Sequence, residues 1–285
     1  MKISDESRPC ISSLYIKPVD APLATLTGGD LQNIMAPKFD IGTIKPGSRN
    51  LITDIPGLKV GNAHDEKIKS GVTVLLPERP VTAAVDVRGG GLGTRELGAL
   101  ELTGTIKFIH GLVLSGGSAF GLDAATGVQS ILRERGVGFK IGDQSVPIVP
   151  QAILFDLANG GDKNWGRYPP YRTLARKAAL SASAEFELGT IGAGYGATTF
   201  NFKGGLGSAS VALENGLVIG ALVAVNAVGS VTIGDSRHFW AAPFEMEDEF
   251  GGFGLPETIP TSALTPALVS EAGENTTLCI VATNA

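Results

Sequence analysis

Cysteine and histidine are scarce in this 285-residue chain, which has two of the first and three of the second. Cys10 and Cys279 lie at opposite ends of the chain, one in the lead-in and one in an apolar run. That placement argues against a structural disulfide and fits a reducing, cytoplasmic compartment. His64, His110 and His238 are scattered with no metal-ligand spacing, so the expectation is surface or core histidines and no bound metal. Charge is also sparse, at 18% with a net of −5, and the basic residues do not cluster. Nothing therefore recommends a nucleic-acid partner. No apolar run reaches the roughly 20 residues of a spanning helix, which leaves a membrane role unsupported. The first residues, MKISDESRPC, are acidic early and lack the apolar stretch of a signal peptide. Two chemical signatures are missing as well. G-x-x-x-x-G-K-[ST] is absent, which excludes a Walker-type NTPase, and so is G-x-S-x-G. Ser236 stands only two residues from His238, too close to make a triad by themselves.

What the chain does have is glycine, 39 of them without a fixed period, within a composition that is 43% hydrophobic. This implies a globular protein with many tight turns and close backbone approaches. The length suits one large α/β domain, although two small ones fit on length alone. Residues 1–48, broken by Pro18, Pro22, Pro37 and Pro46, read as an irregular lead-in. From Leu51 onward, short apolar runs bounded by Gly and Pro predict strands: SGVTVLLPE, PVTAAVDVRGGG and FIHGLVLSGG. A helix is expected over SAFGLDAATGVQSILRERG. It would have Ser118 as N-cap, Gly136 as C′ residue, and Phe120, Ala124, Val128 and Ile131/Leu132 on the inner face. A second helix is expected from about Pro170 to Ala184. EFELGTIGAGYGATTF, KGGLGSASVAL, GLVIGALVAVNAVGSV and NTTLCIVATNA then read as β structure, with residues 235–270 a long loop or linker.

Three local patterns invite a chemical reading. Gly192-Ala-Gly194-Tyr-Gly196-Ala197 matches G-x-G-x-x-G/A, but strand-like TTFNFKGG follows where a dinucleotide site needs a helix. Gly116-Gly117-Ser118 opens the first predicted helix. Its N–H groups would hold a carboxylate or an oxyanion, or else it is a plain strand-to-helix turn. Asn275-Thr276-Thr277 heads a β-branched run. On its own it fits a strand start, an Asn turn, an unused glycosylation sequon or a nucleophile.

Taken together, LSGGSAFGLDAATGV, VPIVPQAILFDLANGGDKNW, KGGLGSASVAL, ALVAVNAVG and ENTTLCIVATNA resemble the successive motifs of one family. It is the L-aminopeptidase/D-Ala-esterase–amidase family, with its β-peptidyl aminopeptidases and nylon-oligomer hydrolases. The resemblance runs in order from about Asn50 to Ala285. It implies a four-layer α/β/β/α sandwich of the aminopeptidase/ornithine-acetyltransferase type. It also implies a self-processing chain cut between Asn275 and Thr276, without a cofactor. Residues 49–285 then form a single domain, with 235–275 a linker ahead of the cut and 276–285 the start of the small subunit. Thr276 is implied as nucleophile, with its freed α-amine, reference pKa near 7.7–8.0, as base. Asn226 is implied as oxyanion-hole donor, and Lys203 as a cation near the nucleophile. Gly117, Ser118 and Trp165 (with Tyr168) are candidates for substrate binding, while Phe120, lacking a hydroxyl, is assigned to packing. Expected partners are small peptides, amides or esters and further copies of the chain. Family members continue past the ATNA stretch, so the last strands and helices of the fold are expected to be missing. The expectations are a truncated frame, a fragment or an inactive remnant. An acyltransferase on the same fold, or a remnant that only binds, are the alternative functions.

Overall fold

The computed structural model describes residues 43–264 and 275–285 in full and residues 10–17 as backbone. Strands β1 (Cys10–Lys17) and β2 (Ile44–Pro46) come first. Both fall inside the lead-in expected to be irregular. They are strands because neighbouring strands pair with them: β1 lies parallel to the last strand, and β2 covers the edge of a later one. A hairpin of β3 (Leu58–Asp65) and β4 (Ser70–Pro77) follows, then β5 (Thr82–Arg88), β6 (Thr94–Arg95) and β7 (Leu112–Ser115). Helices α1 (Ser118–Gly121) and α2 (Ala124–Glu134) lead to a small ribbon of β8 (Phe139–Ile141) and β9 (Gln144–Val146). After β10 (Gln151–Ile153) and α3 (Tyr171–Leu180) come β11 (Gly205–Leu213) and β12 (Val218–Asn226). One turn of helix, α4 (Thr261–Leu264), precedes β13 (Thr276–Thr283).

These strands form two large sheets. One has the order β3-β4-β7-β10-β6 and the other β2-β11-β12-β13-β1-β5. The sequence pattern of each strand follows from what covers it. Residues 70–76 of β4 are buried on both faces, because α2 and α3 cover one side of the five-stranded sheet and the six-stranded sheet covers the other. A strand covered twice reads as an unbroken apolar run. β12 and β13 alternate instead. Leu222, Ala224, Leu278, Ile280 and Ala282 enter the core between the sheets, and Ala221, Val223, Cys279 and Val281 on the opposite face are only half-buried. Among the described residues the layers therefore run helix, sheet, sheet. This is the α/β/β part of the expected sandwich.

The helices depart from expectation in two places. The first predicted helix is broken at Leu122–Asp123, and Ser118 is no N-cap: Gly117 occupies that position at φ 88° with no side-chain cap. Ser118 itself has φ 50°. The helix does end as expected. Gly136 at φ 69° donates to the Arg133 carbonyl while Val137 donates to that of Leu132, a Schellman closure. Ala124, Val128, Ile131 and Leu132 are buried, whereas Phe120 lies outside the continuous helix and is 52% exposed. α3 stops at Leu180, four residues before the expected end. EFELGTIGAGYGATTF forms no strand. Its Gly192–Gly194 stretch is a 3-10 turn, and isolated bridges at Gly189 and Thr198 tie the segment to its neighbours. Of the expected linker, 235–264 is irregular apart from a 3-10 turn at Ala242–Phe244 and α4, and 265–274 lie outside the described residues.

Two close contacts hold this architecture and make predictions. A Cβ on Gly127 of α2 would stand 2.2 Å from the Arg172 carbonyl of α3. Gly127→Ala gains helix propensity of about 1 kcal/mol, but overpacking costs roughly 1–3 kcal/mol. A lower urea midpoint with unchanged slope is the expected result. The second contact is the Asp54 carboxylate. It accepts from Ser210 Oγ at 2.7 Å, Ser48 Oγ at 2.9 Å, and the Arg49 and Leu51 amides at 3.1 and 3.3 Å. Burial alone would raise its pKa, but these donors outweigh burial and hold it below the usual carboxylate value. A depressed folded pKa stabilises above the unfolded value of about 3.9, and that stability is lost as pH falls through the folded pKa. Asp54→Asn should therefore cost about 1–3 kcal/mol at pH 7. The gap between variant and parent should close below about pH 4 in acid-titrated denaturant melts.

Candidate active site

The ends of β12 and β13 meet a cavity of about 180 Å³ whose lining includes Phe155, Asp156, Asn159, Thr198, Asn226 and Asn275. The antiparallel register places Asn226 directly opposite Thr276 and Val225 opposite Thr277. Side chains alternate along a strand, so Asn226 shares its face with Leu222 and Ala224, and Thr276 shares its face with Leu278 and Ile280. Both faces look into the space between the sheets. Opposite residues of such a pair stand about 4.5–5.5 Å apart at Cβ. Thr277 points the other way, with Cys279 and Val281. The period of two thus separates the two threonines, and only Thr276 is on the Asn226 side.

Asn226 is 2% exposed and its carboxamide is held at both ends. Oδ1 accepts the Thr198 amide at 3.0 Å, and Nδ2 donates to the Phe155 carbonyl at 3.2 Å. The Asn226 carbonyl accepts Nδ2 of Asn275 at 3.3 Å, which fixes the residue just before Thr276 at the cavity wall.

Asp156, absent from the sequence-derived candidates, is buried beside this group at 3% exposure. Its Oδ2 accepts Ser70 Oγ at 2.6 Å and its Oδ1 accepts the Gly117 amide at 2.7 Å. Burial pushes the carboxyl above its ordinary pKa, and the Ser70 and Gly117 donors and the Lys163 charge pull less strongly the other way. Tyr171 is fully buried nearby. Among the described residues its hydroxyl finds no partner of hydrogen-bonding geometry, and burial, with the Asp156 charge, pushes it well above the usual phenol range. Lys163 donates to the Ile68 carbonyl and to Asn159 Oδ1, and burial lowers its ammonium. A signal for Asp156 existed in the sequence: it is a lone carboxylate inside the apolar run ILFDL.

The other candidates lie outside the cavity lining, as does Thr276 itself, although Asn226 opposite it and Asn275 before it belong to that lining. The three backbone N–H groups at Gly116, Gly117 and Ser118 are all committed, to the Gly71 carbonyl, the Asp156 carboxylate and the Leu154 carbonyl. The expected anion-holding turn is therefore filled by protein acceptors. Trp165 packs edge-on against Phe120 at 5.5 Å and Tyr171 at 6.0 Å, and lines a separate open groove with Phe120, Lys163 and Arg167. Tyr168 is 75% exposed. Lys203 is exposed and pairs in a short bridge with Thr198, outside the cavity lining. Among the described residues, no three His, Cys, Asp or Glu side chains gather where a metal ion would be held. None of the described helices is long and apolar enough to cross a membrane.

Comparison with known proteins gives this geometry a family. The chain is 39% identical over 253 residues to an uncharacterized aminopeptidase of Mycobacterium leprae, covering 83% of this chain and 68% of that one. It is 32% identical over 162 residues to a 6-aminohexanoate-oligomer endohydrolase of Agromyces, covering 56% of this chain but 42% of the relative. Its fold is similar, with a TM-score of 0.56 at 22% identity, to the L-aminopeptidase D-Ala-esterase/amidase of Ochrobactrum anthropi, described as a variant of the Ntn hydrolase fold. That likeness covers 85% of this chain and 76% of the other. Residues 50–285, which hold Asn226, Asn275 and Thr276 together with all but the first two strands, match the model of Peptidase family S58, and the chain belongs to that family of hydrolases.

Proposed function

We propose that this chain is a self-processing aminopeptidase or amidohydrolase in which Thr276 is the nucleophile and Asn226 the oxyanion-hole donor. One observation carries the reading. Asn226 and Thr276 are register partners on the same inward face, and Asn275, the residue before Thr276, lines the same cavity as Asn226. In the first reaction Thr276 Oγ attacks the Asn275 carbonyl carbon. Its proton passes to the departing Thr276 nitrogen, and the acyl group moves from nitrogen to oxygen. Water then cleaves the ester, leaving the Asn275 carboxylate and a free Thr276 amine. In the second reaction that amine takes the Oγ proton as the hydroxyl attacks a substrate amide or ester. The leaving amine or alcohol departs with the proton, and water hydrolyses the acyl-enzyme. In each step negative charge builds on the carbonyl oxygen, where a carboxamide N–H stabilises it. Small peptides, amides and esters are the substrate class, and cytoplasmic, oligomeric action goes with this reading.

The test is the intact mass of the purified chain held at neutral pH, with sequencing of any new N-terminus. A product ending at Asn275 and a peptide beginning at Thr276 are expected. An unchanged mass over days would overturn self-processing by this chain, and a cut before Thr277 would overturn the choice of nucleophile.

A further inference from the structure

Burying a carboxylate is costly, and an apolar group of similar size would fill the same space at less expense. Asp156 is nonetheless buried in the cavity wall, and its surroundings are built to receive it. A Cβ on Gly116 would stand 2.1 Å from its Oδ2, and a Cβ on Gly196 would stand 2.6 Å from the same atom. Through its two oxygens the side chain joins three separate segments: the start of β4 at Ser70, the turn after β7 at Gly117, and its own chain just beyond β10. The adjacent carbonyl, that of Phe155, accepts Nδ2 of Asn226. The other end of that carboxamide is held by the Thr198 amide, in the segment that also carries Gly196.

We infer that Asp156 is a positioning residue for Asn226: by tying Phe155–Asp156 to Ser70 and Gly117, it fixes the carbonyl that aims the carboxamide beside Thr276. This rests on the reading of Asn226 as the oxyanion donor. Freed from the tie, the Phe155 carbonyl shifts, and the carboxamide and its bond to Thr198 loosen with it. A displacement of about 1 Å in a catalytic group costs about 100-fold in rate, so a remote anchor has a large effect on the chemistry.

The test reads the Thr198 amide by hydrogen exchange in the full chain, comparing the parent with Asp156→Ala, Asp156→Asn and Ser70→Ala. The Leu174 amide, bonded to the Pro170 carbonyl in α3, reports global opening. At least tenfold faster exchange at Thr198 is expected in Asp156→Ala, with intermediate values in Asp156→Asn and Ser70→Ala and Leu174 unchanged. If Asp156→Ala does not fold, the two milder variants decide. Parental exchange at Thr198 in both of them would overturn the inference, as would equal acceleration at Thr198 and Leu174. The self-cleavage rate of the same variants should fall in the same order. A parent that fails to cleave counts against the Thr276 reading, and the exchange result still decides whether Asp156 holds Asn226.

Discussion

Thr276→Ala is expected to leave the chain uncut and without measurable amidase or esterase activity, while Thr277→Ala behaves as the parent. Removing a nucleophile that works as a unit with its base lowers kcat by up to about 10⁶-fold elsewhere, which here means below detection. The two threonines are neighbours with the same side chain, so chemical type cannot separate them. Their strand can, since Thr276 faces Asn226 and Thr277 faces away beside Val225. Thr276→Ser keeps a hydroxyl at the same place and should still cut. Thermal midpoints should hardly move in any of the three, because position 276 is only half-buried at the start of β13. Equal processing in the Thr276→Ala variant would remove the residue from the mechanism.

The second large effect is expected at Asn226, and here activity and stability fall together. Asn226→Ala removes the donor for the developing oxyanion, worth on the order of 10²–10³-fold in kcat. It also takes from the Thr198 amide and the Phe155 carbonyl their part-buried hydrogen bonds, at about 0.5–1.5 kcal/mol for each. Asn226→Asp separates the two roles. An oxygen still receives the Thr198 amide, but no N–H remains for the oxyanion, and a carboxylate faces the Phe155 carbonyl. Activity at neutral pH should therefore be lost at least as fully as in the alanine variant, with the Thr198 bond retained. Rates measured beside denaturant midpoints make the comparison. Full activity in Asn226→Asp would exclude the carboxamide as donor.

Both predictions concern groups that the resemblance to a family named, and what the strand pattern adds to it is local. β12 and β13 carry their alternation in the order of their residues, because one face of the six-stranded sheet enters the core and the other does not. Once NTTLCIVATNA is a strand, Thr276 and Leu278 must share a face. The run in β4, the Schellman glycine at 136 and the buried stripe of α2 were legible for the same reason: each depends on neighbours a few residues away. The resemblance that pointed to a peptidase of this family rests on the order of whole motifs, and that order is also written in the chain.

Other features depend on contacts between residues far apart in sequence. The N–H groups of Gly116, Gly117 and Ser118 look available in the sequence, and only packing shows that acceptors from β4 and the segment beyond β10 have taken them. Asp156 meets Ser70 across 86 positions and Gly117 across 39, so its part in the cavity wall has no local pattern beyond a charge in an apolar run. Trp165 was expected to bind substrate; it packs edge-on against Phe120 and Tyr171 and lines a groove apart from the cavity at Asn226. The lead-in became strand at β2 because the edge of β11 offered unpaired backbone groups. The sequence alone set which residues lie on which face of each strand and helix, since side-chain direction follows from backbone period. Tertiary structure decided which of those faces meet, and with them which donors stay free and where a buried charge is held, because each of those is a property of two segments at once.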